Sequence, residues 1–191
     1  MNREKIVITG IGALTPNGNN VDEFWSNLKE GVSGIKPITY FDTNNHRAKV
    51  AGELKNFNAT SRLDQREIRK LDPFSIYTLY ATSEALDMSG LNSNSSNPDR
   101  IGVTIGSGTG GMDTYEKASR TLGSKGPRFV SPYFVPGFIP NIAGGHISIK
   151  WGFKGPNQTV ISACASGTDA IGIAMRLILA GDADAMITGG T

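Results

Sequence analysis

The feature that most constrains the fold is a stretch that predicts a helix without a polar face. Apolar side chains occupy nearly every helical position of residues 165–180, namely Ala165, Ala170, Ile171, Ile173, Ala174, Leu177, Ile178 and Leu179. A helix that is apolar all round has to be buried on every side. We therefore predict that it lies between two sheets, and a chain of 191 residues has no obvious place for the second sheet.

The remaining pattern is that of an α/β protein. Two helix starts carry capping residues: Asn20 pairs with Glu23 at one, and Asp72 precedes a proline at the other, where the helix should end at Gly90. A segment with four prolines, residues 126–145, excludes a long regular element and is a candidate pocket lining. Short β-branched runs predict buried strands at residues 5–9, 101–106, 158–162 and 185–189.

Charge and composition exclude several classes of function. The chain has 19 basic and 17 acidic residues, a balance that favours neither a nucleic-acid partner nor an anionic membrane surface. No stretch approaches the roughly 20 apolar residues of a membrane-spanning helix. The single cysteine forms no internal disulfide, so the predicted location is the cytoplasm.

That cysteine, Cys164, is the strongest candidate for chemistry. It lies between a predicted strand and the apolar helix, among the small residues 162–167. Unpaired amides at a helix start stabilise a thiolate and also the oxyanion that forms when a carbonyl is attacked. From the residues alone, an inert core cysteine is the competing interpretation.

Other candidate sites are weaker. Residues 106–111 imitate a dinucleotide-binding glycine loop but lack the acidic strand end that should follow. His46 and His146 are far apart and share no ligand spacing with the cysteine, so we predict no metal site. Arg66, Arg69 and Lys70 fall on one helical face, which is either simply solvated or a surface for an acidic partner.

Taken together, the motifs resemble the β-ketoacyl-[acyl carrier protein] synthases, and most closely the type II elongating enzymes of fatty-acid synthesis. The resemblance covers the whole chain. It is carried by Val7 to Gly12, Ile105 to Gly108 with Gly110 and Gly111, Ser131 and Pro132 with Phe134 to Pro136, Gly155 to Asn157, Ala163 to Gly167, and Gly181 to Asp184 with Gly189 and Gly190.

The resemblance implies a thiolase-like fold, in which two similar α/β halves with mixed five-stranded sheets enclose central helices and associate as a homodimer. It also implies an acyltransferase without cofactor or metal. Cys164 would accept an acyl group from acyl carrier protein, and malonyl-acyl carrier protein would lose carbon dioxide to supply the attacking carbanion.

Two further sets of residues follow from the resemblance. Thr109, Phe134 and Val135 match positions of the acyl pocket, the last two across the dimer interface. Residues that match basic positions facing the acidic carrier protein are Arg66, Arg69, Lys70 and Arg128.

One departure is large, because the family is about twice as long and its two catalytic histidines lie in the second half. Neither His46 nor His146 matches them. We therefore expect residues 1–191 to be the N-terminal domain of a longer enzyme and to be inactive alone. A polyketide-type ketosynthase and a non-catalytic fragment that only dimerises or binds carrier protein remain as alternatives.

Overall fold

The computed structural model of the protein describes residues 5–94 and 97–191. Its helices and strands, in chain order, are α1 (Val21–Lys29), β1 (Ile35–Pro37), β2 (Val50–Gly52), α2 (Gln65–Ile68), α3 (Pro73–Ser89), β3 (Ile101–Gly106), α4 (Met112–Lys125), α5 (Phe134–Phe138), α6 (Ile142–Trp151), β4 (Asn157–Val160), α7 (Ser166–Leu179) and β5 (Ala185–Gly190). One-turn 3-10 helices occur at Ala59–Ser61, Pro98–Arg100, Pro127–Phe129 and Ala163–Ala165.

The core is a parallel sheet in the order β4-β3-β5, and β3 in its centre is buried along its whole length. Alternate residues of β3 point to opposite faces. On one face Val103 contacts the backbone of α6, and on the other Gly106 lies against the start of α7. Helix α3 packs on α6, and β1 pairs with β2 as a separate antiparallel ribbon. The site described below lies where β3 and β4 end.

Several predictions that depended on local signals are confirmed. The side chain of Asn20 accepts a hydrogen bond from the Glu23 amide at 2.8 Å, and α3 begins directly after its cap, Asp72. Gly90 ends α3 in the left-handed conformation at φ 69°. The predicted strands at residues 101–106 and 185–189 are β3 and β5, and residues 158–162 overlap β4. The α/β class is therefore correct.

The predicted strand at residues 5–9 is wrong for the described chain. These residues pair with no described strand, and Val7 and Ile8 are 69% and 81% exposed. The segment is anchored further along instead, because Glu84 of α3 accepts hydrogen bonds from the Ala13 and Val21 amides, each at 2.9 Å. An apolar run predicts that a segment prefers burial, but a strand also needs a free edge beside it.

The sheet and its apolar helix differ from the expectation in extent. Within the described residues the parallel sheet has three strands rather than five. Helix α7 buries one face, through Ser166, Ala170 and Ala174, against β3 and β5. Ile171 and Leu179 on its other side are each 53% exposed. The described chain covers the apolar helix on one side only.

Helices α4, α5 and α6 have no counterpart among the predictions, and one carboxylate explains where α4 begins. Asp72 is 4% exposed, and its Oδ1 caps α3 by accepting the Phe74 amide at 3.2 Å. Its Oδ2 accepts the Thr114 amide in the first turn of α4 at 2.8 Å. One buried side chain therefore fixes two helix starts that lie far apart in sequence. Among the described residues, no helix combines the length and the apolar character needed to span a membrane.

We expect Asp72→Ala to lower the free energy of unfolding of the complete protein by about 2 kcal/mol, since two helix caps are lost. Urea unfolding measures the difference. Asp64→Ala is the matched control, because Asp64 is exposed and caps only α2, through the Arg66 amide. An equal cost for the two variants would contradict the double cap.

Candidate active site

Cys164 lies in the one-turn helix Ala163–Ala165, between the end of β4 and the start of α7, and its thiol is exposed. The Ala165 amide closes the turn by donating to the Ser162 carbonyl at 3.1 Å. The Cys164 amide makes no hydrogen bond within residues 5–94 and 97–191, so it is free to donate to a bound group. The predicted position before a helix start is confirmed, and the thiol is exposed in the described residues.

Close backbone packing holds this turn against the sheet. A β-carbon on Gly106, the last residue of β3, would overlap the backbone of Ser166, and one on Gly190 of β5 would lie 2.8 Å from the Gly167 Cα. Such an approach is possible only where both strands end in glycine. The start of α7 therefore sits directly on the carboxyl ends of β3 and β5.

The loop after β3 lies beside the cysteine turn. The Ser107 amide donates to the Val160 carbonyl at 3.1 Å, and a β-carbon on Gly108 would lie 3.8 Å from the Ala163 carbonyl oxygen. Gly110 has φ +74° and donates to the Ser107 hydroxyl. Thr109, the predicted pocket residue of this loop, is exposed. The loop is thus a folded turn that lies against the cysteine turn.

A cluster of aromatic rings borders the same loop. The rings of Phe134 and Phe138 stack at 5.6 Å, and Tyr115 of α4 lies 5.2 Å from Phe138. The Gly111 amide donates to the Phe138 carbonyl at 2.9 Å, which joins α5 to the loop. Val135 is 56% exposed. The structure therefore connects the predicted pocket residues of α5 to the loop of Thr109 through backbone contacts.

The predicted basic residues are exposed but do not form one continuous helix face. Helix α2 ends at Ile68, so Arg69 caps it and Lys70 lies beyond it. Glu67 between them pairs instead with Lys150 of α6 at 2.7 Å. No ion pair of the described residues involves the exposed side chains of Arg66, Arg69, Lys70 and Arg128.

The two histidines are not joined to the cysteine. His46 lies in a loop, with its ring 5.2 Å from that of Phe41. His146 is on α6, where burial lowers the pKa of its imidazole and the nearby Glu67 partly opposes that effect. Neither ring makes a hydrogen bond to the Cys164 turn in the described residues. The described part also holds no cluster of three potential metal-binding side chains.

Two contacts of the turn were not predicted. Ser162 donates its hydroxyl to the carboxylate of Asp169 in the first turn of α7. Ser107 joins the loop to β4 and also accepts the Gly110 amide. Serine and aspartate near a helix start indicate capping in general, but the sequence carries no signal for these particular partners.

Residues 3–191 match the sequence pattern of a family described as "Beta-ketoacyl synthase, N-terminal domain". The chain is 51% identical over 188 residues to the 3-oxoacyl-[acyl-carrier-protein] synthase 2 of Staphylococcus aureus (strain COL), covering 98% of this chain and 45% of that protein. The protein of the same name from Coxiella burnetii (strain RSA 493 / Nine Mile phase I) is 45% identical over 191 residues, or 46% of its length. The chain thus spans about half the length of these curated relatives.

The fold is also similar to that of a solved ketosynthase. A solved structure of a type II polyketide synthase acyl-carrier protein in complex with its ketosynthase matches 97% of this chain and 49% of that chain, with a TM-score of 0.83 and 28% identity. The expected thiolase-like fold is therefore confirmed, for about half of a ketosynthase chain.

We expect Gly106→Ala to displace the start of α7 and to lower the free energy of unfolding of the complete protein by about 2 kcal/mol, through overpacking. The rate at which iodoacetamide alkylates Cys164 should change with it. Gly108→Ala, two residues further on, is the matched control, and it should stay within about 0.5 kcal/mol because its β-carbon would make only ordinary van der Waals contact with Ala163. A Gly106→Ala protein with unchanged stability and unchanged alkylation would contradict the close packing.

Proposed function

Because the chain belongs to the β-ketoacyl synthase N-terminal domain family, we propose that it supplies the acyl-accepting cysteine, Cys164, of a condensing enzyme for fatty-acid elongation. The observation that carries this proposal is the exposed thiol in a turn directly before the start of α7, which packs on the ends of β3 and β5. The two curated relatives compared above are both named 3-oxoacyl-[acyl-carrier-protein] synthase 2.

The geometry suits acyl transfer to sulfur. The Cys164 thiolate attacks the thioester carbonyl of an acylated carrier protein and forms a new carbon–sulfur bond. The carbon–sulfur bond to the carrier breaks, and the carrier's thiolate leaves and takes up a proton. The free amide of Cys164 is placed to donate to the oxyanion of this step. Malonyl-acyl carrier protein then loses carbon dioxide, and the resulting carbanion attacks the acyl-enzyme and releases the cysteine.

The acyl chain would run along the loop of Thr109 and the aromatic cluster of α5. Phe134 is half-buried in that cluster, whereas Val135 is exposed, which suits a residue that reaches across a dimer interface. A homodimer is therefore part of the proposal.

The acidic carrier protein would meet the exposed basic residues Arg66, Arg69, Lys70 and Arg128. Their charges are not neutralised by ion pairs among the described residues, so they remain available to a partner. A solved relative is a ketosynthase bound to an acyl-carrier protein, which supports a partner of this kind.

Residues 1–191 would be the N-terminal domain of this enzyme. The uncovered faces of α7 and of residues 5–9 support a second half that packs on them, since apolar surface costs about 25 cal/mol per Å² when left in water. That half would supply the two histidines of the family. We propose that the enzyme works in the cytoplasm and that the 191-residue chain alone does not turn over.

The first test is the source gene, which should continue in frame past Thr191; a stop there would refute the longer enzyme. The complete enzyme, incubated with acyl-acyl carrier protein, should then gain the mass of one acyl group on the peptide that contains Cys164. Cys164→Ala should gain none. An unlabelled Cys164 in an enzyme that binds the carrier protein would refute the proposal.

The product separates fatty-acid elongation from polyketide synthesis. We expect one condensation with a saturated primer, giving a 3-oxoacyl chain two carbons longer. Repeated condensation without reduction would favour a polyketide ketosynthase, which the 28% identity to the ketosynthase complex leaves as the second candidate. Decarboxylation of malonyl-acyl carrier protein by the 191-residue chain alone would show that the histidines are not needed.

We expect Arg66→Glu in the complete enzyme to raise KM for acyl-acyl carrier protein about fivefold, equivalent to about 1 kcal/mol for one reversed charge. KM for a small acyl thioester without the carrier should not change. Arg47→Glu, the same change at another exposed arginine, is the control. Equal effects of the two variants would refute a local carrier-protein surface.

A further inference from the structure

Ser166 has an unusual place next to the cysteine turn. It is the first residue of α7 and is 3% exposed. Its hydroxyl accepts a hydrogen bond from the Ser162 amide at 3.0 Å and donates one to the Ala163 carbonyl at 2.7 Å. Both partners are backbone groups of the two residues that precede Cys164. The hydroxyl therefore donates one hydrogen bond to a peptide group of this turn and accepts one from another.

The backbone that these bonds hold is in a disfavoured conformation. Ala163 has φ 51°, and within residues 5–94 and 97–191 only Asn56 shares a positive φ among residues other than glycine. Asparagine tolerates this region, because its side chain can bond to nearby backbone, but alanine has no such group. Something outside Ala163 has to keep it there.

The other side-chain contacts of the turn do not hold Ala163 at positive φ. The bond between the Ser162 hydroxyl and Asp169 lies in exposed residues, where water can replace it. The close approach of Gly106 to the next helix determines where α7 starts, but this contact involves Ser166 and Gly167 rather than Ala163. The Ala163 carbonyl also accepts the backbone amide of Ser166, but among the described residues the buried Ser166 hydroxyl is the side-chain group that bonds both this carbonyl and the Ser162 amide before it.

We propose that Ser166 is a positioning residue for Cys164. Its hydroxyl clamps the Ser162 amide to the Ala163 carbonyl, keeps Ala163 at positive φ, and so presents the thiol and the free amide of Cys164 to an incoming thioester. This inference rests on the proposed function, since it assigns Ser166 a role in acyl transfer to Cys164. Carrier-protein binding should not depend on Ser166, because the basic residues assigned to it lie on other segments.

In the complete enzyme, Ser166→Ala should slow both the alkylation of Cys164 by iodoacetamide and kcat for its acylation, each by about tenfold, as expected for losing a backbone conformation of this cost. KM for acyl-acyl carrier protein should stay within about twofold. Ser75→Ala is the matched control, because Ser75 is a serine buried to 1% exposure whose hydroxyl has no hydrogen-bond partner in the described residues. The control should keep both rates.

A second variant separates positioning from a general loss of structure. Glycine adopts positive φ without strain, so Ala163→Gly in the Ser166→Ala background should restore the alkylation rate to within about threefold of wild type. If Ser166→Ala alone is insoluble, a double variant that is soluble and is alkylated at Cys164 supports the proposal equally. A double variant without rescue, or a Ser166→Ala enzyme at the wild-type rate, would falsify it. Wild-type enzyme that is alkylated but never acylated would refute the proposed function instead.

Discussion

The contact between the end of β3 and the start of α7 is the constraint on which the rest of the site depends. Gly106 has no side chain, so the backbone of Ser166 can lie directly over it. This distance leaves room for only a tight turn between β4 and α7, and Cys164 is in that turn. Backbone packing in the core therefore fixes the position of the turn that carries the thiol.

The loop that follows β3 extends the same constraint to the proposed acyl pocket. Ser107 bonds to the end of β4, and the loop continues past Thr109 to Gly111, which bonds to α5. The cysteine turn and the aromatic cluster are thus attached to one short segment. A thioester bound at Cys164 would have its carbonyl near the free amide of that residue and its acyl chain near the loop.

A residue at positive φ and an uncovered apolar helix face both adjoin this site. Ala163 is held at positive φ beside the reactive thiol, whereas the buried strands around it are regular. The outer face of α7, which begins at the same turn, is apolar and uncovered in the described residues. A partner domain that covers α7 would therefore also approach the cysteine, which suits a family whose catalytic histidines lie in the second half.

Much of the local structure was determined by the sequence itself. The β-branched runs of β3 and β5, the cap at Asp72 and the small residues around Cys164 act over a few positions, so a pattern is enough to recognise them. The motifs around Cys164 also sufficed to predict the family and the nucleophile, although the role of Cys164 itself stays a prediction.

Only the tertiary structure decided which distant groups meet. The missing pairing of residues 5–9, the second cap that Asp72 provides to α4 and the covering of α7 on a single face all depend on neighbours far away in the chain. The hydrogen bond from the Ser166 hydroxyl to the Ala163 carbonyl joins residues close in sequence, yet it depends on a backbone angle that no residue pattern specifies. Burial and hydrogen bonding are properties of positions in space, whereas a sequence records only which residues prefer them.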